Sequence, residues 1–110
     1  KKLALILALL GAPAGAQDIS VFFSGNELLE MCRSDNAAAR ADCMGYITGA
    51  SDVLSGVISL GDMKAFCEPA SVTRGQIHDV VVRYAIENPE NRHFSGGALV
   101  YSALLDAFPC

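Results

Sequence analysis

Four cysteines, Cys32, Cys43, Cys67 and Cys110, are the residues of this sequence with the most consequential chemistry. In an oxidising compartment an even number of cysteines in a short chain predicts disulfides, whereas in the cytosol it suggests a metal or redox site. The sequence has no C-x-x-C motif and no short Cys/His ligand spacing, so we expect neither a metal nor another cofactor.

The first residues indicate which compartment applies. Two lysines are followed by an apolar run, Leu3–Leu10, and then by small residues that end in an A-x-A motif at 14–16. This order is typical of a secretory signal peptide, and the apolar run is too short to cross a hydrocarbon core of about 30 Å. We therefore expect residues 1–16 to be removed and residues 17–110 to form one exported domain.

Export favours two disulfides, and we predict the pairs Cys32–Cys43 and Cys67–Cys110. The first would clamp a helical hairpin, and the second would tie the final residue to the middle of the chain. In a chain-entropy treatment the two bonds would contribute about 3 and about 4 kcal/mol. Four cysteines allow two further connectivities, which the sequence leaves open.

The two histidines offer no catalytic arrangement. A nucleophile would have to lie near His78 or His93, and every cysteine is expected to be in a disulfide. The common hydrolase, metalloprotease and phosphate-binding motifs do not occur. We expect His78 to be a partly exposed surface residue and the protein not to be an enzyme.

The elements that must position these residues are helices. A capping box at Ser24 begins a helix of about ten residues, and a second helix is predicted from Ala37 to about Leu60. The segment Gly61–Val72 has no periodicity and is predicted to be a loop. A second capping box at Thr73 begins the third helix.

The dipeptide Asn88-Pro89 predicts the end of the third helix and the start of the fourth, with Asn88 as N-cap. Apolar residues then recur at helical spacing up to Phe108. The predicted fold is an all-α, small four-helix bundle clamped by two disulfides.

One face of the long second helix carries small residues, Gly45, Gly49 and Gly56, together with Asp52. Glycine inside a helix costs up to about 1 kcal/mol relative to alanine, so three of them indicate close approach of another helix. We expect this face to pack against the last helix at Gly96-Gly97, with a partner subunit as the alternative. Tyr46 on the same helix is expected to be half-buried, and Tyr46, Gly49, Asp52 and Pro109 are assigned structural roles.

The charge of the chain restricts its partners. The formal net charge is −4, and removal of Lys1 and Lys2 with the signal peptide would leave −6. An acidic protein is poorly suited to nucleic acid or to anionic membranes and is suited to a basic protein surface. Polar residues in the predicted loops are the candidates for contacting such a partner: Asp62, Lys64, Glu68, Asn91, Arg92 and His93.

The spacing of several motifs resembles the Rap/Tai immunity proteins, which are periplasmic inhibitors of peptidoglycan amidases delivered by type VI secretion. The motifs are Leu28-Leu29-x-x-Cys32, Cys43-x-Gly45-Tyr46-x-x-Gly49-x-x-Asp52, Cys67-x-Pro69, Asn88-Pro89-Glu90-x-x-His93 and the ending Ala107-Phe108-Pro109-Cys110. The resemblance implies a small helical protein with two internal disulfides and no catalysis. It also implies a frequently dimeric inhibitor that covers the active-site cleft of a cognate effector.

Two functions from different classes follow. The first is a periplasmic immunity protein that neutralises a peptidoglycan amidase. The second is an exported structural or acid-stress, chaperone-like helical protein, which would also be acidic and disulfide-bonded. A neighbouring reading frame for an exported amidase would favour the first, and expression induced by acid would favour the second.

Overall fold

A computed structural model of the chain describes Gly11 and residues 20–110. The predicted signal peptide and its cleavage site otherwise lie outside the described residues. The helices are α1 (Gly25–Cys32), α2 (Ala37–Ser59), α3 (Arg74–Glu87) and α4 (Gly96–Ala107), with a single-turn 3-10 helix at Pro89–Asn91. The part of the chain that is described contains isolated β-bridges but no strand, which confirms the predicted all-α bundle.

The starts of the first three helices follow from side-chain caps. At α1 the Ser24 amide donates to the Glu27 carboxylate (2.8 Å) and the Glu27 amide donates to the Ser24 hydroxyl (3.2 Å). The same reciprocal pair joins Thr73 and Gln76 at α3. The side chain of Asn36 accepts from the Ala39 amide at the start of α2. Each cap satisfies amides that would otherwise lack a partner in the first helical turn.

The predicted start of the last helix, with Asn88 as its N-cap, is wrong, because the N-cap of α4 is Ser95, seven residues later. The intervening backbone is engaged by the residues around the start of α1. The Gly25 amide donates to the Phe94 carbonyl (2.7 Å), and the Gly96 amide donates to the Phe23 carbonyl (2.8 Å). These long-range hydrogen bonds engage the backbone of residues 94–96, and the segment before them forms a single 3-10 turn at Pro89–Asn91.

The core lies where the four helices meet. α2 packs against each of the other three, and α3 packs against α4. No helix of the described residues is long and apolar enough to span a membrane. The most deeply buried side chains are aliphatic, with one cysteine among them: Leu28, Cys43, Ile47, Val81, Leu99, Val100 and Leu104.

Both predicted disulfides are confirmed. Cys32–Cys43 joins the end of α1 to α2, and Cys43 has no exposed surface (0%). Cys67–Cys110 joins the loop after α2 to the final residue, and both of its cysteines are exposed. The Cys67 amide also donates to the Phe108 carbonyl (2.7 Å), so backbone pairing supports the second bond.

The expected packing of the glycine face of α2 against the last helix is wrong. A Cβ added at Gly45, Gly49 or Gly56 would meet no heavy atom within 4 Å. The close approach occurs instead at Gly96, where an added Cβ would lie 2.8–3.0 Å from the Tyr46 ring. Tyr46 is half-buried as expected, but its ring lies over the start of α4, which leaves the glycine face of α2 uncovered.

Candidate interaction surfaces

The predicted contact residues fall into two groups that the fold keeps apart. Asp62, Lys64 and Glu68 lie in the loop after α2, and Cys67 within that loop is tied to the residues that follow the C-terminal end of α4. Asn91, Arg92 and His93 lie in the turn that precedes the N-terminal end of α4. The twelve residues of α4 rise about 18 Å, so the two groups are near opposite ends of that helix.

Within the turn, two of the three predicted contact residues form hydrogen bonds to other parts of the chain. The Asn91 amide side chain donates to the Tyr84 hydroxyl (2.9 Å), and the Arg92 carbonyl accepts from the Asn26 amide (2.8 Å). Among the described residues, Arg92 Nε is buried without a hydrogen-bond partner. His93 is exposed, and its ring lies 4.1 Å from that of Phe94.

Exposed apolar residues, three of them aromatic, lie beside this turn, and we call them the aromatic end: Val21, Phe22, Phe23 and Phe94. Phe22 is 96% exposed and Phe94 is 53% exposed, whereas Phe23 touches the Tyr46 ring edge-on with centroids 5.8 Å apart. The bridge between Ser24 and Ser95 brings the two segments together. Sequence reasoning missed the contribution of residues 21–23, because only the long-range pairing places them beside the turn.

A second apolar surface, the α2 groove, runs along the uncovered glycine face. It has a volume of about 420 Å³ and is lined by Gly45, Tyr46, Gly49, Ala50, Val53, Leu54 and Gly97. Val53 is 66% exposed, so the groove presents an aliphatic side chain as well as bare helix backbone. Exposed apolar surface of this kind is typical of protein interaction sites.

The acidic loop residues have a different environment. Glu68 and Asp52 line a small cavity of about 100 Å³ beside Arg74 and the start of α3. Partial burial raises the pKa of the Glu68 carboxyl above its usual value, and the negative charge of Asp52 raises that pKa further. Asp62 and Lys64 are exposed, and the Lys64 carbonyl accepts from the Tyr101 hydroxyl (2.8 Å).

Replacement of Glu68 by glutamine should raise the melting temperature at pH 7. Because folding raises the pKa of Glu68, the native state binds more protons than the unfolded state between the unfolded and the folded pKa. The wild-type protein therefore loses stability as the pH rises through that interval. The melting temperatures of the wild type and the Glu68→Gln variant should differ at pH 7 and converge at about pH 4.

The Asp52→Asn variant is the matched control for this effect, because it removes the neighbouring charge and keeps the Glu68 carboxyl. It should reproduce part of the stabilisation at pH 7. A Glu68→Gln variant that melts at the same temperature as the wild type at pH 7 would show that the carboxyl is fully solvated.

The histidines are not placed beside a nucleophile. His78 Nδ1 lies 3.1 Å from the carboxylate of the adjacent Asp79, and His78 is half-buried, as the sequence predicted. All four cysteines are in disulfides.

Comparison with known proteins identifies the class. The family model of the Rap1a immunity proteins matches residues 24–110, and the chain belongs to that family. The match extends from the N-cap of α1 to the last cysteine, so it includes both disulfides and both apolar surfaces apart from residues 21–23. Among curated proteins, none matches the chain significantly. Membership of the family implies a protein that binds and inhibits a secreted effector rather than an enzyme.

Proposed function

We propose that this protein is a periplasmic immunity protein that inhibits a peptidoglycan amidase delivered by type VI secretion. The match to the Rap1a family model is the observation that supports an immunity function. The two disulfides fit an oxidising compartment outside the cytoplasm. An amidase that acts on the cell wall would meet its inhibitor in that compartment.

The aromatic end is the surface that we propose for the effector. Energetically dominant interface residues are enriched in aromatic side chains surrounded by polar groups. Phe22 and Phe94 are exposed, and His93 lies against Phe94. The backbone beneath them is fixed by the hydrogen bonds from Gly25 and Gly96, so the aromatic rings are presented by a rigid support.

Inhibition of the effector tests this proposal directly. The proposal expects a peptidoglycan hydrolase to be encoded in the reading frame next to this chain. That enzyme is the probe, assayed by release of new amine groups from purified peptidoglycan. One equivalent of the protein should suppress the release, and the reduced and alkylated protein should not. Full hydrolysis at several equivalents of the protein would contradict the proposal.

We further propose that a second copy of the chain covers the α2 groove. Gly45 and Gly49 would allow the two helix backbones to approach closely, and Val53 would be buried between them. Two-fold symmetric dimers, in which the same surface of both copies meets, are the commonest oligomers of soluble proteins.

The Gly49→Leu variant should be monomeric and at least as stable as the wild type under conditions in which the wild type dimerises. Among the described residues no neighbouring heavy atom lies within 4 Å of a Cβ added at Gly49, and leucine favours the helix by up to about 1 kcal/mol relative to glycine. The mass measured by analytical ultracentrifugation and the melting temperature together check this. A variant that remains dimeric, or that unfolds, would contradict the proposed contact; Gly56→Leu, which lies outside the groove lining, is the control.

A further inference from the structure

A charged cleft of about 530 Å³ lies beside α1, where the α1–α2 connection meets the turn before α4. We call it the arginine cleft, and the polar and charged residues that line it include Asn26, Glu30, Arg33, Asp35 and Arg92. Within the described part of the chain, neither arginine forms an ion pair and neither side chain donates a hydrogen bond. Both guanidinium groups are therefore without a partner among the described residues.

The fold holds Arg92 at this cleft through its backbone. The Arg92 carbonyl accepts from the Asn26 amide (2.8 Å), and the Arg92 amide donates to the Pro89 carbonyl (3.3 Å). Gly25 permits this approach, because a Cβ at Gly25 would lie 2.8 Å from the Arg92 carbonyl oxygen and 3.1 Å from the Arg92 Cα. The backbone that carries the side chain is therefore fixed before a partner binds, which lowers the entropic cost of binding.

The burial of Arg92 is only partly compensated within the described residues. The side chain is half-buried, and its Nε is buried with no hydrogen-bond partner there. A guanidinium that loses water without gaining a protein partner raises the free energy of the native state. A negatively charged ligand in the cleft would offset that cost, so its pair with Arg92 would be stronger than a pair with a fully exposed arginine.

The lining of the cleft favours a carboxylate over a phosphate. A planar guanidinium can bind both oxygens of a carboxylate with two parallel hydrogen bonds. Glu30 and Asp35 also line the cleft, and their negative charges repel a doubly charged phosphate more strongly than a singly charged carboxylate. The side-chain amide of Asn26 supplies a further donor.

The arginine cleft adjoins the aromatic end. Arg92 lies two residues before Phe94, and the carbonyls of both accept hydrogen bonds from the start of α1. We propose that the arginine cleft binds a carboxylate group, with Arg92 as its main contact, and that an aspartate or glutamate side chain of the effector supplies this group; the second part rests on the proposed function. On an effector surface that is otherwise basic, such a pair would fix the orientation of the complex.

Titration of the free protein with sodium acetate tests the cleft without an effector. The readout is the set of arginine Nε–H signals in a proton–nitrogen correlation spectrum, in which the Arg92→Lys variant identifies the Arg92 signal by its loss. That signal should shift with saturation in acetate and should not follow sodium chloride at the same ionic strength. The exposed Arg83 on α3, which does not line the cleft, is the internal control. The absence of an acetate-specific shift at Arg92, or an equal shift at Arg83, would overturn the proposal.

Binding to the peptidoglycan hydrolase expected in the neighbouring reading frame tests the source of the carboxylate. By surface plasmon resonance, the Arg92→Gln variant should bind at least about tenfold more weakly than the wild type. Arg92→Lys should restore only part of the loss, because lysine keeps the charge and lacks the planar pair of donors. Arg83→Gln makes the same change of charge outside the cleft and should match the wild type.

A second variant keeps this measurement decisive if Arg92→Gln unfolds, which circular dichroism would show. The Arg33 side chain is exposed, so Arg33→Gln should keep the fold and also weaken binding. Equal affinity of the wild type and every folded variant of the two cleft arginines would overturn the assignment of the carboxylate to the effector. If the wild type fails to bind the hydrolase, the proposed function fails, and the acetate titration still decides whether the cleft is a carboxylate site.

Discussion

The Cys110→Ser variant should lose about 2–5 kcal/mol of unfolding free energy. The bond that it removes joins residues 43 positions apart, so the unfolded chain regains a large amount of conformational freedom. Hydrogen bonds from Cys67 to Phe108 and from Tyr101 to Lys64 remain to hold the loop. The melting temperature should fall by about 10 °C or more.

The freed thiol gives a second measurement for the same variant. Cys67 lies on the surface, so in the Cys110→Ser variant it should react with a maleimide under native conditions. The matched control is Cys32→Ser, which frees Cys43 in a position with no exposed surface. Equal labelling rates for the two thiols, or an unchanged melting temperature, would contradict this account of the second disulfide.

Removal of the aromatic rings at the aromatic end should weaken effector binding more than any other surface change. Each of Phe22→Ala and Phe94→Ala is expected to cost at least about 2 kcal/mol of binding free energy, or about 30-fold in affinity, mainly through faster dissociation. Both side chains are exposed, so the far-ultraviolet circular dichroism should not change. Surface plasmon resonance with the immobilised effector measures the rates.

Two controls separate this surface from the rest of the molecule. Leu60→Ala removes an apolar side chain that is 76% exposed at the end of α2 and should leave the affinity unchanged. The double variant Asp62→Lys and Glu68→Lys should slow association and reduce its dependence on salt, because the acidic protein is expected to attract a basic effector. A complex weakened by Leu60→Ala and unaffected by Phe94→Ala would place the effector at the other end of α4.

The local signals in the sequence predicted most of the fold. Ser24 with Glu27 and Thr73 with Gln76 gave two helix starts, because a capping box is encoded within four residues. The predicted pairing of Cys32 with Cys43, based on their places at the junction of consecutive helices, is the one in the structure. These features depend on neighbours in the chain, so a single sequence is sufficient to infer them.

The errors arose where distant residues decide the structure. Asn88 and Pro89 carry the local signal of a helix start, but the pairing of residues 23–26 with residues 92–96 overrides it. The glycine face of α2 was expected inside the bundle, yet Tyr46 packs over Gly96 and the glycines stay exposed. Neither contact has a signature in the sequence, and both help to form the proposed interaction surfaces.

Survival of cells is the most direct test of the immunity function. Cells that export the peptidoglycan hydrolase expected in the neighbouring reading frame should lyse, and co-expression of this protein with the predicted signal peptide should keep them growing. The Phe22→Ala, Phe94→Ala double variant, matched to the wild type in periplasmic abundance, should protect less well. Lysis at the same rate with and without the wild-type protein would contradict the proposal that it neutralises that enzyme.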